Sequence, residues 1–213
     1  MRKLLGMISI LLIPFLLSCV RFAVVSPTTK ASSTSISEIS VDAGIYARYF
    51  QLQTRKGLYR DRFLGTEIGL FLSYAIQDEY FGSISSMIDG KISLFESSKS
   101  KFATGLGLSY LNIYEKMNNT NFQMDCLYLV FPTYMESSLT EWFRFIVNFR
   151  FFNNIYNATN VIHPISNYGT NFLTVNVGIE LFNVFTINGY IVSGNQLASF
   201  PLPGFSLGYT FGF

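Results

Sequence analysis

The sequence predicts an all-β chain, an antiparallel up-and-down barrel that crosses a membrane on its strands, and three observations carry that expectation. In Gly204–Phe213, Phe205, Leu207, Tyr209, Phe211 and Phe213 alternate with Gly204, Ser206, Gly208, Thr210 and Gly212. Side chains two apart share one face of a strand, so one face is apolar and the other small and polar. Charged residues make up 13% of the chain and aromatic residues 17%, a balance suited to a sheet with one face in lipid and poorly suited to a soluble surface. Beyond the amino-terminal apolar run no segment is continuous enough for a transmembrane helix, so any crossing has to be made by strands.

At the amino end Arg2 and Lys3 precede an apolar run, Leu4–Leu17, that is too short to span and has the build of a secretory signal. Leu16-Leu17-Ser18-Cys19 resembles the lipobox of bacterial lipoproteins. The resemblance implies cleavage before Cys19, acylation of its thiol and anchoring through buried methylenes. Residues 1–18 are thus the expected signal peptide, 19–38 the lipidated start and linker, and 39–213 the barrel domain. The stretch Val20–Ser37 is rich in Ser and Thr, includes Pro27 and has no sustained periodicity, so a loose linker is expected.

Removing Arg2 and Lys3 with the signal leaves thirteen Lys and Arg against thirteen Asp and Glu. A neutral chain without a basic cluster argues against a nucleic-acid partner. Only Cys19 and Cys126 are present; with Cys19 acylated, neither a disulfide framework nor a cysteine metal site is expected. Metal-ligand spacing, phosphate-cradling glycine loops and nucleophile elbows are missing from the sequence, so no cofactor is expected.

Period two governs the chain from Ile39 onward. Ile39, Val41, Ala43, Ile45, Ala47 and Tyr49 oppose Ser40, Asp42, Gly44, Tyr46 and Arg48. Leu64, Ile68, Leu70 and Leu72 oppose Gly65, Glu67, Gly69 and Ser73; Phe102, Leu106, Leu108 and Tyr110 oppose Ala103, Gly105, Gly107 and Ser109. Phe143, Phe145, Val147, Phe149 and Phe151 face away from Arg144, Asn148 and Arg150, as Leu173, Val175, Val177 and Ile179 do from Thr174, Asn176, Gly178 and Glu180. Glycines on the polar side suit a crowded, curved interior.

Segments near 39–52, 62–76, 80–97, 101–115, 122–135, 141–152, 168–182, 184–193 and 204–213 number nine, whereas single-chain bacterial barrels have even counts. Asp89-Gly90 is a hairpin signal; splitting 80–97 there gives ten strands, with eight close behind. The split also gathers the long connections 53–61, 153–167 and 194–203 at the end opposite both termini. Against it stands the row Ser83, Ser85, Met87, Asp89, Lys91 and Ser93, which runs unbroken only if 80–97 is one strand.

The carboxyl end also resembles the insertion signal of bacterial outer-membrane β-barrels, polar-x-Gly-x-x-aromatic-x-aromatic, with Ser206, Gly208, Phe211 and Phe213 in the defined places. That resemblance implies the outer membrane, its lipid and the barrel assembly machinery as partners. Arg48, Glu67, Asp125, Arg144, Arg150 and Glu180 fall on the polar faces and are the expected lumen charges. In so narrow a barrel they are expected to pair across the interior and plug it.

A closed barrel serves as a structural or surface-binding platform, with lipopolysaccharide or another surface ligand at its outer loops. Arg55, Lys56, Arg60 and Arg62 place four cations within eight residues of the first long connection, where head groups or surface sugars would meet them, although a single local charge run reads first as a solvated loop. A narrow pore is the alternative if the charges line the wall unpaired. A third reading is enzymatic: His163-Pro164-Ile165-Ser166-Asn167 resembles, with one residue too many, the His-x-Ser-Asn motif of outer-membrane lipid A deacylases, with Glu180 as the orienting carboxylate. The bland reading of His163 and of Asn153, Asn154, Asn157 and Asn160 is polar loop chemistry. A soluble, lipid-anchored lipocalin-like barrel would reverse the two faces, burying the bulky row and exposing the charged one.

Radiolabelled fatty acid supplied to expressing cells should label the protein and fail to label Cys19→Ser. Label persisting in that variant would show that the thiol of Cys19 is not the acylated group.

Overall fold

The computed structural model describes residues 29–31, 37–44, 48–60, 64–76, 81–117, 120–160, 171–194 and 202–212. Among them run ten strands: β1 (Ser37–Gly44), β2 (Arg48–Arg60), β3 (Gly65–Ile76), β4 (Phe81–Glu96), β5 (Ser100–Met117), β6 (Thr120–Ser138), β7 (Phe143–Thr159), β8 (Phe172–Leu181), β9 (Phe185–Gly194) and β10 (Leu202–Gly212). Each pairs antiparallel with its neighbour in sequence, and β1 closes the barrel on β10 with Glu38 opposite Gly212. Closure leaves no sheet edge unpaired, a requirement for any sheet surrounded by hydrocarbon.

The outer surface is the reverse of a soluble barrel. Ile88 is 48% exposed, Leu106 53% and Phe151 43%. Leu70, Leu72, Ile84, Ile92, Phe145, Phe149, Ile187, Ile191, Leu207 and Phe211 also face outward. The polar residues between them, Glu67, Asp89, Lys91, Asn148, Arg150, Thr174, Asn176, Glu180, Ser206 and Thr210, are buried inside. On β4 the outward apolar row runs from Ile84 to Leu94, about 23 Å of height at a tilt of roughly 45°, close to the apolar band of a transmembrane barrel. The lipocalin-like arrangement fails on this exterior.

Aromatic residues mark the rim that carries Ser37 and Gly212, here the near rim. The turn joining β8 to β9 puts Phe182 and Asn183 at φ 55° and 62°. Asn tolerates that left-handed conformation, whereas a Phe there costs on the order of 1–2 kcal/mol. The Phe182 ring stacks on Trp142 at 5.8 Å and its N–H donates to the Trp142 carbonyl at 2.8 Å, contacts that offset the strain. Phe185, Tyr209 and Phe211 form a second edge-to-face group beside it. Such girdles sit where lipid meets water.

The tenth strand does not arise where the sequence suggested. Strand β4 passes through Asp89-Gly90 unbroken, because Asp89 is laddered to Gly69 on one side and Gly107 on the other. Hairpin propensity yields to pairing on both flanks. The division falls instead at residues 45–47, and β2 absorbs the stretch assigned to the outer connection 53–61. Likewise β7 continues to Thr159, with its ladder shifted between Leu127 and Tyr128 of β6. Asn153, Asn154 and Asn157 are therefore strand residues, and Asn160 clamps the end of the ladder by accepting from the Gln123 N–H and donating to the Asn121 carbonyl.

β2 and β3, β4 and β5, β6 and β7, and β8 and β9 have their joined ends at the near rim, while β7 and β8, and β9 and β10, have theirs at the far rim, with more residues between them. Replacing Ile88 with Arg in the middle of the outward row should lower unfolding free energy in lipid by about 2–4 kcal/mol. Denaturant titration of the vesicle-embedded barrel reads that loss; an unchanged midpoint would mean that this face does not meet hydrocarbon.

Candidate functional site: the barrel lumen

Three layers fill the interior. Toward the far rim Leu111, Ile113, Phe122, Met124, Cys126 and Tyr128 form a buried apolar cluster with Phe152 and Phe172. The Phe152 and Phe172 rings stack at 4.3 Å, with Tyr128 edge-on at 5.1 Å from Phe172. Cys126 is a free, buried thiol of this layer.

The middle layer is ionic and centres on Arg55. Its Nη2 donates to both oxygens of Asp89 at 2.8 Å, and its Nη1 reaches Glu67 at 3.4 Å. Lys91 Nζ lies 2.8 Å from the same Glu67. The Tyr134 hydroxyl donates to Asp89, while its ring meets Arg150, Arg55 and Lys91 at 5.4, 5.6 and 5.8 Å. Arg150 and Tyr134 are 0% exposed and Lys91 is 1% exposed. Charges so far from water are tolerated only when each is paired and hydrogen-bonded, and aromatic faces add to the hold on the cations.

Glycine makes the central pair reachable. In register Arg55 faces Gly69, and Gly69 faces Asp89, so the guanidinium must cross β3 to find its carboxylate. A Cβ at Gly69 would sit 2.6 Å from Asp89 Oδ1 and 3.0 Å from the guanidinium carbon. Gly107, on the other flank, leaves similar room for Asp89 itself. Side chains at these two positions would displace the pair.

Toward the near rim Glu180 receives Arg144 and Lys30, both at 2.9 Å, and Glu136 receives Lys101 at 3.3 Å and Arg144 at 3.7 Å. Lys30 comes from outside the barrel wall. The segment Thr29–Ala31 lies within the lumen, with Thr29 and Ala31 buried. Asn148 accepts from the Thr29 N–H at 2.6 Å and donates to the Thr29 carbonyl at 2.8 Å. Arg150 donates to the Thr29 hydroxyl, Lys91 to the Lys30 carbonyl and Ser93 to the Ala31 carbonyl. This part of the expected loose linker is a bound element, because lumen donors and acceptors satisfy its backbone as a strand ladder would.

Of the expected lumen charges, Glu67, Arg144, Arg150 and Glu180 face inward and take part in these networks. The backbone of Arg48 starts β2 at the far rim, and its side chain lies outside the described residues. Asp125 is a correction. It lies on the outer face, where Tyr110 and Asn112 donate to it, because Phe122, Met124, Cys126, Tyr128 and Val130 take the inward row of β6. Near the far rim the outward row of that strand, Asn121, Gln123 and Asp125, is polar and the inward row apolar, so alternation assigns its faces the wrong way round. The basic run also fails to form a loop patch: Arg55 is in the lumen, Lys56 faces out, Arg60 pairs with Glu96 at 3.1 Å at the near rim, and Arg62 lies outside the described residues.

Arg55, Asp89, Lys91 and Tyr134 are not among the expected lumen charges. The signal for two of them was the unbroken row from Ser83 to Ser93, set aside in favour of the hairpin. Of the insertion-signal residues, Ser206 faces in and Phe211 out, and Phe213 lies outside the described residues. Cys19, His163 and Ser166 lie outside them too. Glu180 stands nine positions along the strand from Asn171, about 30 Å from the far rim to which 161–170 is attached, and it is held by Arg144 and Lys30. Among the described residues no group of His, Cys, Asp and Glu is arranged to hold a metal.

The fold and this interior define a closed antiparallel barrel with an apolar exterior and a filled, ion-paired lumen. No family model matches the chain, and no curated protein matches it in sequence. Among solved structures it is similar to the KdgM porin in complex with disordered oligogalacturonate, at 10% identity over 83% of this chain and 99% of that one with a TM-score of 0.42. It is also similar to the translocator domain of the autotransporter NalP from Neisseria meningitidis, at 10% identity over 85% and 90% with a TM-score of 0.41. The NanC porin follows at 6% identity over 82% and 98%, TM-score 0.35.

Truncating Asp89 to Ala should cost about 3–5 kcal/mol by leaving the Arg55 charge buried without its main partner. The double replacement Arg55→Met with Asp89→Leu should recover most of that loss. Denaturant midpoints of the three proteins in lipid vesicles check it, and equal destabilisation of single and double variants would remove the pair from its central place.

Proposed function

We infer that the protein is an outer-membrane β-barrel of the bacterial envelope, closed to solutes by its own lumen and serving as a structural or surface-binding platform. The observation that carries this reading is the middle layer. Side chains from β2, β3, β4, β6 and β7 meet there around Tyr134, and Arg150, Tyr134 and Asn148 retain no exposed area. A permeant solute would have to break several charge-assisted hydrogen bonds in succession, each worth about 1.5–3 kcal/mol. Closure shifts function to the rims. The connections 160–171 and 195–201 at the far rim are where lipopolysaccharide or another surface ligand would be met, and acylation of Cys19 would add a lipid anchor. The charges are placed to hold one another, which supports a non-enzymatic role.

A second reading, a narrow pore, is favoured by one specific observation. Part of the closure is made by Thr29–Ala31, which is not wall and whose backbone is held by hydrogen bonds to lumen side chains. Both readings share the outer membrane and differ in permeability. Full-length protein refolded into a planar bilayer should show no steady ionic current. A steady current through the unaltered protein would reject the closed barrel in favour of the pore.

A further inference from the structure

The contacts around Thr29–Ala31 divide into two kinds. Those to the backbone are generic. The Asn148 side-chain amide pairs with the N–H and carbonyl of one residue as a neighbouring strand would, at 2.6 and 2.8 Å, and Lys91 and Ser93 take the next two carbonyls at 2.8 and 3.0 Å. Almost any peptide sequence offers backbone groups of this kind.

The contacts to side chains are selective. At position 30 a cation is favoured by Glu180, whose second carboxylate oxygen, the one not taken by Arg144, lies 2.9 Å from Lys30 Nζ. At position 31 the side chain is packed with Ala103 and Tyr134 and is 0% exposed, which admits a methyl group and little more. At position 29 a hydroxyl is read by Arg150 at 2.8 Å. Asn148, Arg150, Ser93, Lys91 and Glu180 are all buried, and they come from three strands. Such convergence of buried polar groups on one short peptide is the anatomy of a binding site rather than of a random tether.

We propose that the lumen is a peptide-binding site for a hydroxyl–cation–small tripeptide, occupied in this structure by the chain's own Thr29-Lys30-Ala31. The proposal rests on the lumen being filled as described above. Residues 29–31 precede β1 by only a few positions, so the resident segment acts at an effective concentration on the order of millimolar and masks the site from peptides in solution. Weakening the resident unmasks it. The ligand runs with its Ala end toward the near rim, since Ser93 is closer to that rim on β4 than Lys91, and a free peptide enters from that rim, amino end first.

The test uses full-length protein refolded in detergent and a fluorescent peptide with the sequence of residues 27–33, Pro-Thr-Thr-Lys-Ala-Ser-Ser. Two variants disable the resident. Thr29→Pro removes the N–H that Asn148 accepts, and Lys30→Glu sets a carboxylate against Glu180. A heat-dependent shift in electrophoretic mobility establishes that each barrel is folded. Fluorescence anisotropy should show the peptide binding both variants about tenfold or more tightly than it binds the unaltered protein. Adding Asn148→Leu should abolish that binding, and a peptide carrying Glu in place of its Lys should not bind. Folded Thr29→Pro and Lys30→Glu barrels that both ignore the peptide would overturn the site, as would binding unaffected by Asn148→Leu. Failure here leaves the unaltered protein non-conducting in bilayers, whereas failure of the closed-barrel reading shows as current through it; the two are read separately.

Discussion

The guanidinium of Arg55 has one place to put its charge. The outer face of the wall is apolar, so the group turns inward, and there the carboxylate two strands away is held still by Tyr134 and approached over a glycine. Much of the remaining interior follows from satisfying this pair. Glu67 takes the second face of Arg55 and with it Lys91; Lys91 in turn reaches the carbonyl of Lys30. Water cannot relieve an unpaired member at that depth, so the network is costly to leave half made. The same constraint accounts for Gly69 and Gly107, whose missing side chains are the room in which the ions meet.

Strand direction and face were largely legible from alternation, since a strand between lipid and a polar lumen has to repeat with period two. Leu64 to Ser73, Phe143 to Phe151 and Leu173 to Glu180 read correctly because one row is large and apolar and the other small or charged. Strand β6 did not, because its inward row passes from Phe122, Met124 and Cys126 to Tyr134 and Glu136. No single polarity describes a lumen that changes from apolar to ionic along its axis. Asp125 was misassigned for that reason.

Local turn chemistry misled in the other direction. Asp-Gly favours a two-residue hairpin in an isolated segment, and Asp89-Gly90 sits between ladders that outweigh it. Basic residues at 55–62 read as a solvated loop because their density suggested it, although the alternating placement of Arg55 and Lys56 separates them onto opposite faces. The place of Thr29–Ala31 was not legible at all. Its recognition depends on Asn148, Arg150 and Glu180, more than a hundred residues away, and a segment whose partners are all distant leaves no periodic trace in its own sequence.

Strand length is uneven around the barrel, and this bears on how the molecule comes together in time. Strands β5, β6 and β7 have 18, 19 and 17 residues, whereas β1 has 8 and β8, β9 and β10 have 10, 10 and 11. The tall hairpins carry the most ladder and have short loops to close, so they have the most to gain early. The seam between β1 and β10 joins the two ends of the domain and offers few rungs in return, which places it last. Since no lumen exists until that seam zips, residues 29–31 are captured in the final step, and their seating reports that the barrel has finished closing.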